Sequence, residues 1–137
     1  MPTLTIWPII VSTVVTFIVS SIWFSPLLFG KEWMALCGYT EADIAAMKPA
    51  NMLRKYIAQL VTIIVISSIL AFFIISTGAA TASEGAFMGL LAWLGFVATT
   101  LISGVIWERK PLKHFFISAI GNLICFVIGG AIIGGWM

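Results

Sequence analysis

A chain of 137 residues in which 61% are hydrophobic and only 9% charged is not composed like a soluble domain, where about 25% of residues carry charge. A fold this small leaves much of its surface exposed, so with a mean hydropathy of +1.15 the surrounding solvent has to be lipid. The net charge of +2 excludes a nucleic-acid interface, which needs a clustered basic face, and Cys37 and Cys125 lack the spacing of a metal site or redox pair.

The first predicted element is a transmembrane helix over residues 4–29. No Lys or Arg precedes Lys31, and the apolar stretch is about twice as long as the 7–15-residue core of a signal peptide. It therefore reads as a retained span. Ser12, Thr16 and Ser20 fall on one face of it. Pro26 removes a backbone donor and is expected to kink or end the helix. The aromatic-rich stretch from Ser20 to Trp33 either shapes a lateral pocket or is a plain helix terminus. In the loop that follows, Thr40 as N-cap and Asp43 three residues later imitate a capping box. They predict a short interfacial helix from Glu41 to Lys48, stopped by Pro49.

The second span is predicted over 56–77. Its run TIIVISSI is β-branched, which would suggest strand in water. In hydrocarbon every backbone polar group must be paired within the segment, so helix wins. None of the apolar stretches alternates as the strands of a membrane barrel do. The third span, 85–107, opens on a Gly85/Gly89 pair, with Ala92, Thr99 and Ser103 continuing near that face. Trp93 lies well inside it and is expected to face a neighbour or a cavity. The turn WERKPLKHFF (Trp107–Phe116) gathers Glu108, Arg109, Lys110, Lys113 and His114. It is either an ordinary loop or a contact for an anionic headgroup through Arg109, Lys110, Lys113 and His114. The fourth span, 115–136, carries Ser118, Asn122, Cys125 and Gly129 at helical spacing, with Gly130 and Gly134 as a second GxxxG pair.

The expected architecture is all-α: one membrane domain over 1–137, a four-helix bundle with a short interfacial helix in its first loop. All seven Lys and Arg fall between spans one and two or between spans three and four. Basic loops are retained in the cytoplasm, which predicts a multi-pass protein of the cytoplasmic (inner) membrane with both termini outside. Trp7, Trp23, Trp33, Trp107 and Trp136 lie near span ends, where an aromatic belt is the default role.

Ionisable residues inside spans point to function, and this chain has essentially none; Gln59 and Asn122 are its most polar intramembrane side chains. No GxSxG, HExxH or Walker A motif is present. No catalytic, metal or cofactor site is predicted, and the chain is expected not to be an enzyme. Helices in lipid associate through small residues and polar contacts, which makes Gly85, Gly89, Gly130 and Gly134 the predicted helix-packing residues. The first expectation is a component that forms a homo-oligomer or attaches to another membrane protein through such faces, with the bilayer as its other partner. The alternative is a small transporter, channel or hydrophobic-ligand binder whose cavity is walled by Trp23, Trp93, Thr99, Ser118 and Asn122. A remote alternative is an enzyme at the cytoplasmic face using Glu108 and His114.

Four pieces of the chain, WFSPLLFGKEW (Trp23–Trp33), GYTEADI (Gly38–Ile44), WLGFVATT (Trp93–Thr100) and ERKPLKHFFI (Glu108–Ile117), resemble in sequence and order the bacterial integral membrane family grouped as domain of unknown function 1761. The resemblance covers nearly the whole chain. It implies a four-helix membrane protein without a settled activity, so no catalytic role is carried over. It draws attention to Trp23, Pro26, Gly30, Trp33, Trp93, Gly95, Thr99 and Thr100, which stand in those pieces.

Overall fold

The computed structural model describes residues 6–25, 28–46 and 49–136. Its elements are helices α1 (Ile6–Trp23), α2 (Gly30–Leu36), α3 (Glu41–Ala45), α4 (Pro49–Ser76), α5 (Ala82–Ala92), a π-helical segment (Trp93–Ala98), α6 (Thr99–Trp107) and α7 (Leu112–Gly135). Four stretches are long and apolar enough to cross a bilayer: Ile6–Trp23, Asn51–Ser76, Ala82–Trp107 and Leu112–Gly135. The four-helix, all-α architecture is the expected one. Among the described residues, hydroxyls in the spans satisfy themselves locally. Thr13, Thr16, Ser21, Ser68, Thr99 and Thr100 each donate to the carbonyl four residues back at 2.6–2.8 Å, so these six hydroxyl protons are not left bare in hydrocarbon.

The boundaries differ from the sequence reading at each loop. The first helix ends at Trp23, six residues early. The chain then turns so that Phe29 N–H donates to Trp23 O and Gly30 N–H to Ser25 O. A Cβ on Gly30 would overlap the Phe24 and Ser25 backbone, which is why α2, an element the sequence did not announce, begins on a glycine. The kink expected at Pro26 lies outside the described residues. The capping box of α3 is present: Thr40 N–H donates to Asp43 Oδ2 at 2.9 Å, and Asp43 N–H donates to Thr40 Oγ1 at 3.1 Å. The described part of that helix ends at Ala45; Lys48 lies outside the described residues. Pro49 opens α4, where its missing N–H belongs to a donor that would have no helical partner anyway. The third span starts three residues early because Thr81 caps it, accepting Glu84 N–H at 3.1 Å, while Glu84 returns a carboxylate to Ala80 N–H.

Helix α7 is the hub. It packs on α5, α1 and α4, and 39% of its span is buried against only 6% of the third. At the end of the bundle that carries the chain termini, α5 crosses α7 antiparallel on glycine. Gly85 lies against Gly130 and Gly134, and Gly89 against Phe126, so closely that an added Cβ would overlap backbone atoms. Leu70, Ala71, Ile74, Ala79 and Ile133 complete this half as an apolar core, with Ile9, Met88 and Ala92 packed on it. On the other side of the hub, Ser12 Oγ lies 3.4 Å from Ser67 Oγ, and Gly129 admits the Ser12 and Thr16 side chains. The four packing glycines of the sequence reading are thus all buried within one chain. That removes them as a surface for subunit contact, because close helix approach in lipid is satisfied by whichever small-residue partner folds against it first.

Candidate functional site

The half of the bundle carrying the basic loops is held differently, by tryptophan. Three indoles converge on one turn of α7. Trp23 Nε1 donates to Ile117 O at 2.9 Å, Trp33 Nε1 to Ser118 Oγ at 2.9 Å and Trp93 Nε1 to Ala119 O at 2.8 Å. The Ile117 and Ala119 carbonyls lie inside the helix, so each indole uses the second lone pair of an oxygen already serving the helical ladder. Gly121 makes the approach possible, since a Cβ there would come within 2.6 Å of Trp23 Cδ1 and Nε1. A buried indole requires a partner for its N–H, and in a span the accessible acceptors are backbone carbonyls and hydroxyls.

Four of the five predicted cavity residues meet here without enclosing a cavity. Trp23 and Trp93 are committed to α7, Ser118 accepts from Trp33, and Asn122 Nδ2 donates to Ser118 O at 2.8 Å. Thr99 does not join them; it is exposed and bonded to Gly95 O. Neither the surface groove at Trp33–Lys55 nor the one at Thr77–Met88 is lined by any of the five. Trp23 and Trp33 leave the aromatic belt expected of them and turn inward, whereas Trp7, Trp107 and Trp136 are 62%, 81% and 52% exposed, as belt residues should be.

Trp93 also opens the π-helical segment. The stripe Gly85–Gly89–Trp93 faces α7 up to that point. Beyond it the wider turn leaves Gly95, Phe96, Thr99, Thr100 and Ser103 exposed, and a Cβ on Gly95 would meet open space. Single π turns inside α-helices recur at functional positions.

The basic turn is folded on itself rather than held open for an anion. Lys110 Nζ lies 3.2 Å from Glu108 Oε2, and Lys113 Nζ lies 2.9 Å from Glu32 Oε2. The Lys110 stem covers Gly104, and Glu108 and Lys110 N–H both donate to Gly104 O. Arg109, at φ 57, is exposed. Of the four predicted headgroup contacts, two lysines therefore already have carboxylates. The fourth, His114, stacks on Trp33 at 5.9 Å between ring centroids and places Nε2 3.3 Å from Cys37 Sγ. Glu108 and His114 thus have separate partners and form no acid–base pair. Beside His114 a groove of about 710 Å³ opens, lined by Trp33, Cys37, Gly38, Tyr39, Asp43, Ala46, Asn51 and Lys55. Sequence reasoning singled out Trp33 only through the resemblance and placed it in the aromatic belt, and it missed Gly121 and the Cys37–His114 contact. Trp33 sits beside Lys31 and Glu32 and so reads as an interface residue, and the other two pairings span about 80 residues or more with no periodic signal.

The family described as Protein of unknown function (DUF1761) matches residues 7–134, and the chain belongs to it. No curated protein and no solved structure matches the chain.

Proposed function

We propose that this DUF1761 protein is a non-enzymatic component of the bacterial inner membrane that works as a homo-oligomer, or bound to another membrane protein, with both termini outside. The observation that carries the reading is the third span. It is the least buried of the four, and its half beyond Trp93 presents Gly95, Thr99 and Ser103 on one exposed face. The glycine pairs are consumed within the chain, so this is the remaining small-residue stripe. The hydroxyls of Thr99 and its neighbour Thr100 are turned back on their own helix, leaving a smooth surface of the kind on which helices associate in lipid. The basic-end half of α4 adds a second unpartnered stretch, with Leu53, Ile57, Leu60, Val61 and Gln59 exposed. The carrier or binder reading has less support, since Trp23 and Trp93 bond to the α7 backbone, Asn122 to Ser118 O and Thr99 to its own helix.

The test is cross-linking through Thr99→Cys in native membranes. A discrete cross-linked species lost on Gly95→Leu supports the reading; a monomer that captures nothing in membranes or nanodiscs overturns it. Sidedness is read separately: an impermeant maleimide applied to intact spheroplasts is expected to label Thr81→Cys and to spare Cys37.

A further inference from the structure

Cys37 closes α2, donating its backbone N–H to Trp33 O at 3.0 Å. Its side chain is exposed and forms part of the groove wall. Three features set it apart from an incidental surface thiol. His114, from the start of α7, lies within hydrogen-bond reach of the sulfur. The imidazole plane is fixed by Trp33, whose own indole is tied to Ser118. The groove has the volume of a small-molecule site, about 300–1,000 Å³, and its described lining includes Lys55, whose Nζ rides over the Tyr39 ring at 5.7 Å. Asp43, the acid among the described lining residues, is engaged in the α3 cap, which leaves the Lys55 ammonium for a ligand carrying a carboxylate to meet.

Partial burial raises the Cys37 thiol above its ordinary value, and Lys110 offsets this only in part. The sulfur is therefore protonated at neutral pH, and a nucleophile has to be generated by a base within reach. His114 is placed for that role when its proton is on Nδ1 and Nε2 accepts from the thiol.

We infer that Cys37 and His114 form a thiol–imidazole pair that exchanges with a small carboxylate-bearing disulfide seated in the groove. As Cys37 Sγ bonds to one sulfur of the disulfide, its proton passes to His114 Nε2 and the small molecule's S–S bond breaks. The departing thiolate takes the proton back from the imidazolium and leaves as a thiol. Cys37 is oxidised to a mixed disulfide and half of the small disulfide is reduced. Exchange at sulfur asks for a thiolate and for access; this corner offers an exposed thiol with a base beside it that can generate the thiolate. The inference is independent of the assembly proposed above, because it needs one chain only.

The experiment uses the full chain in lipid nanodiscs with glutathione disulfide as probe, followed by mass spectrometry of the adduct and its rate of formation. One adduct per chain on Cys37 is expected. Cys125 is half-buried in α7 with its thiol on Thr16 O, so Cys125→Ser leaves the rate unchanged. His114→Phe keeps a flat ring on Trp33 but removes the base, and is expected to slow the reaction about tenfold or more. In His114→Ala, imidazole added to the buffer restores the rate, which a purely structural role would not allow. Lys55→Gln slows exchange with glutathione disulfide but not with cystamine, which has no carboxylate. The inference is overturned if no adduct forms on Cys37, if both His114 variants react within about twofold of the parent, if imidazole restores nothing, or if Lys55→Gln affects the two disulfides equally.

Discussion

A methyl group placed on Gly85 would overlap the carbonyl oxygen of Gly130, and one placed on Gly130 would overlap the carbonyl oxygen of Gly85. The contact is reciprocal, so neither helix can yield without moving its whole backbone. In hydrocarbon, where lipid tails compete equally for apolar surface, such close approach and the polar contacts around it hold helices together. The structure divides accordingly: glycine closes the terminal half of the bundle, and indole N–H groups close the basic half.

Gly85→Ala and Gly130→Ala are each expected to destabilise by about 1–3 kcal/mol, the usual cost of overpacking, or more because the obstructing atoms are main chain. Gly95→Ala is the control: its Cβ meets nothing within 4 Å, and alanine is the better helix former. Thermal unfolding in detergent should show a lowered midpoint for the first two and an unchanged or raised one for the third.

Trp93→Phe removes the donor to Ala119 O, a carbonyl that keeps its place in the helix of α7, while keeping an aromatic ring of smaller area at the contact. Intramembrane hydrogen bonds measured by double-mutant cycles average about 0.6 kcal/mol and reach about 1.7, so a loss in that range is expected. Trp93→Ala should cost more, because the ring's contact area goes too. Titration from mild detergent into denaturing detergent, scored by tryptophan fluorescence or circular dichroism, separates the two variants.

Arg109 holds a left-handed backbone at φ 57, which costs a residue with a Cβ roughly 1–2 kcal/mol. Arg109→Gly relieves that strain but adds chain entropy to the unfolded state. A net gain of up to about 1 kcal/mol is expected. A fall in the thermal midpoint would mean that the Arg109 side chain makes a contact worth more than the strain.

The Asp43 carboxyl is held below its ordinary value, first by the Thr40 backbone N–H and then by the Thr40 side chain. A group whose pKa falls on folding stabilises the folded state above its unfolded pKa, and that contribution is lost as pH drops through the folded value. Asp43→Asn should therefore speed amide exchange across Ala42–Ala46 at neutral pH. The difference between variant and parent should shrink to nothing in strong acid, below the ordinary carboxylate range. A difference that persists there would show that the cap does not depend on the charge.

Several features were legible because their causes are local. Thr40 and Asp43 are three residues apart, and a capping box involves nothing beyond that interval. Trp93 was expected to face a neighbour or a cavity because it sits well inside a span, and it meets Ala119. The same reasoning stopped short at Trp33, whose flanking charges made a headgroup position sufficient. It read the Gly85 and Gly130 pairs as helix-packing faces without deciding between a helix of the same chain and another subunit, since a GxxxG pattern does not say which helix will cover it.

The sequence by itself determined four helical spans and a fold without strands. Long uncharged apolar runs must close their hydrogen bonds within themselves when no water is present, and that condition is met residue by residue along the chain. Only the tertiary structure decided that α7 is the hub, that Trp23, Trp33 and Trp93 share one turn of it, that the third span widens into a π turn and faces outward past Trp93, and that Cys37 meets His114. These follow from the rotation of each helix about its axis. That rotation is set by shape complementarity between side chains and backbones far apart in the chain, which no periodicity within a single span encodes.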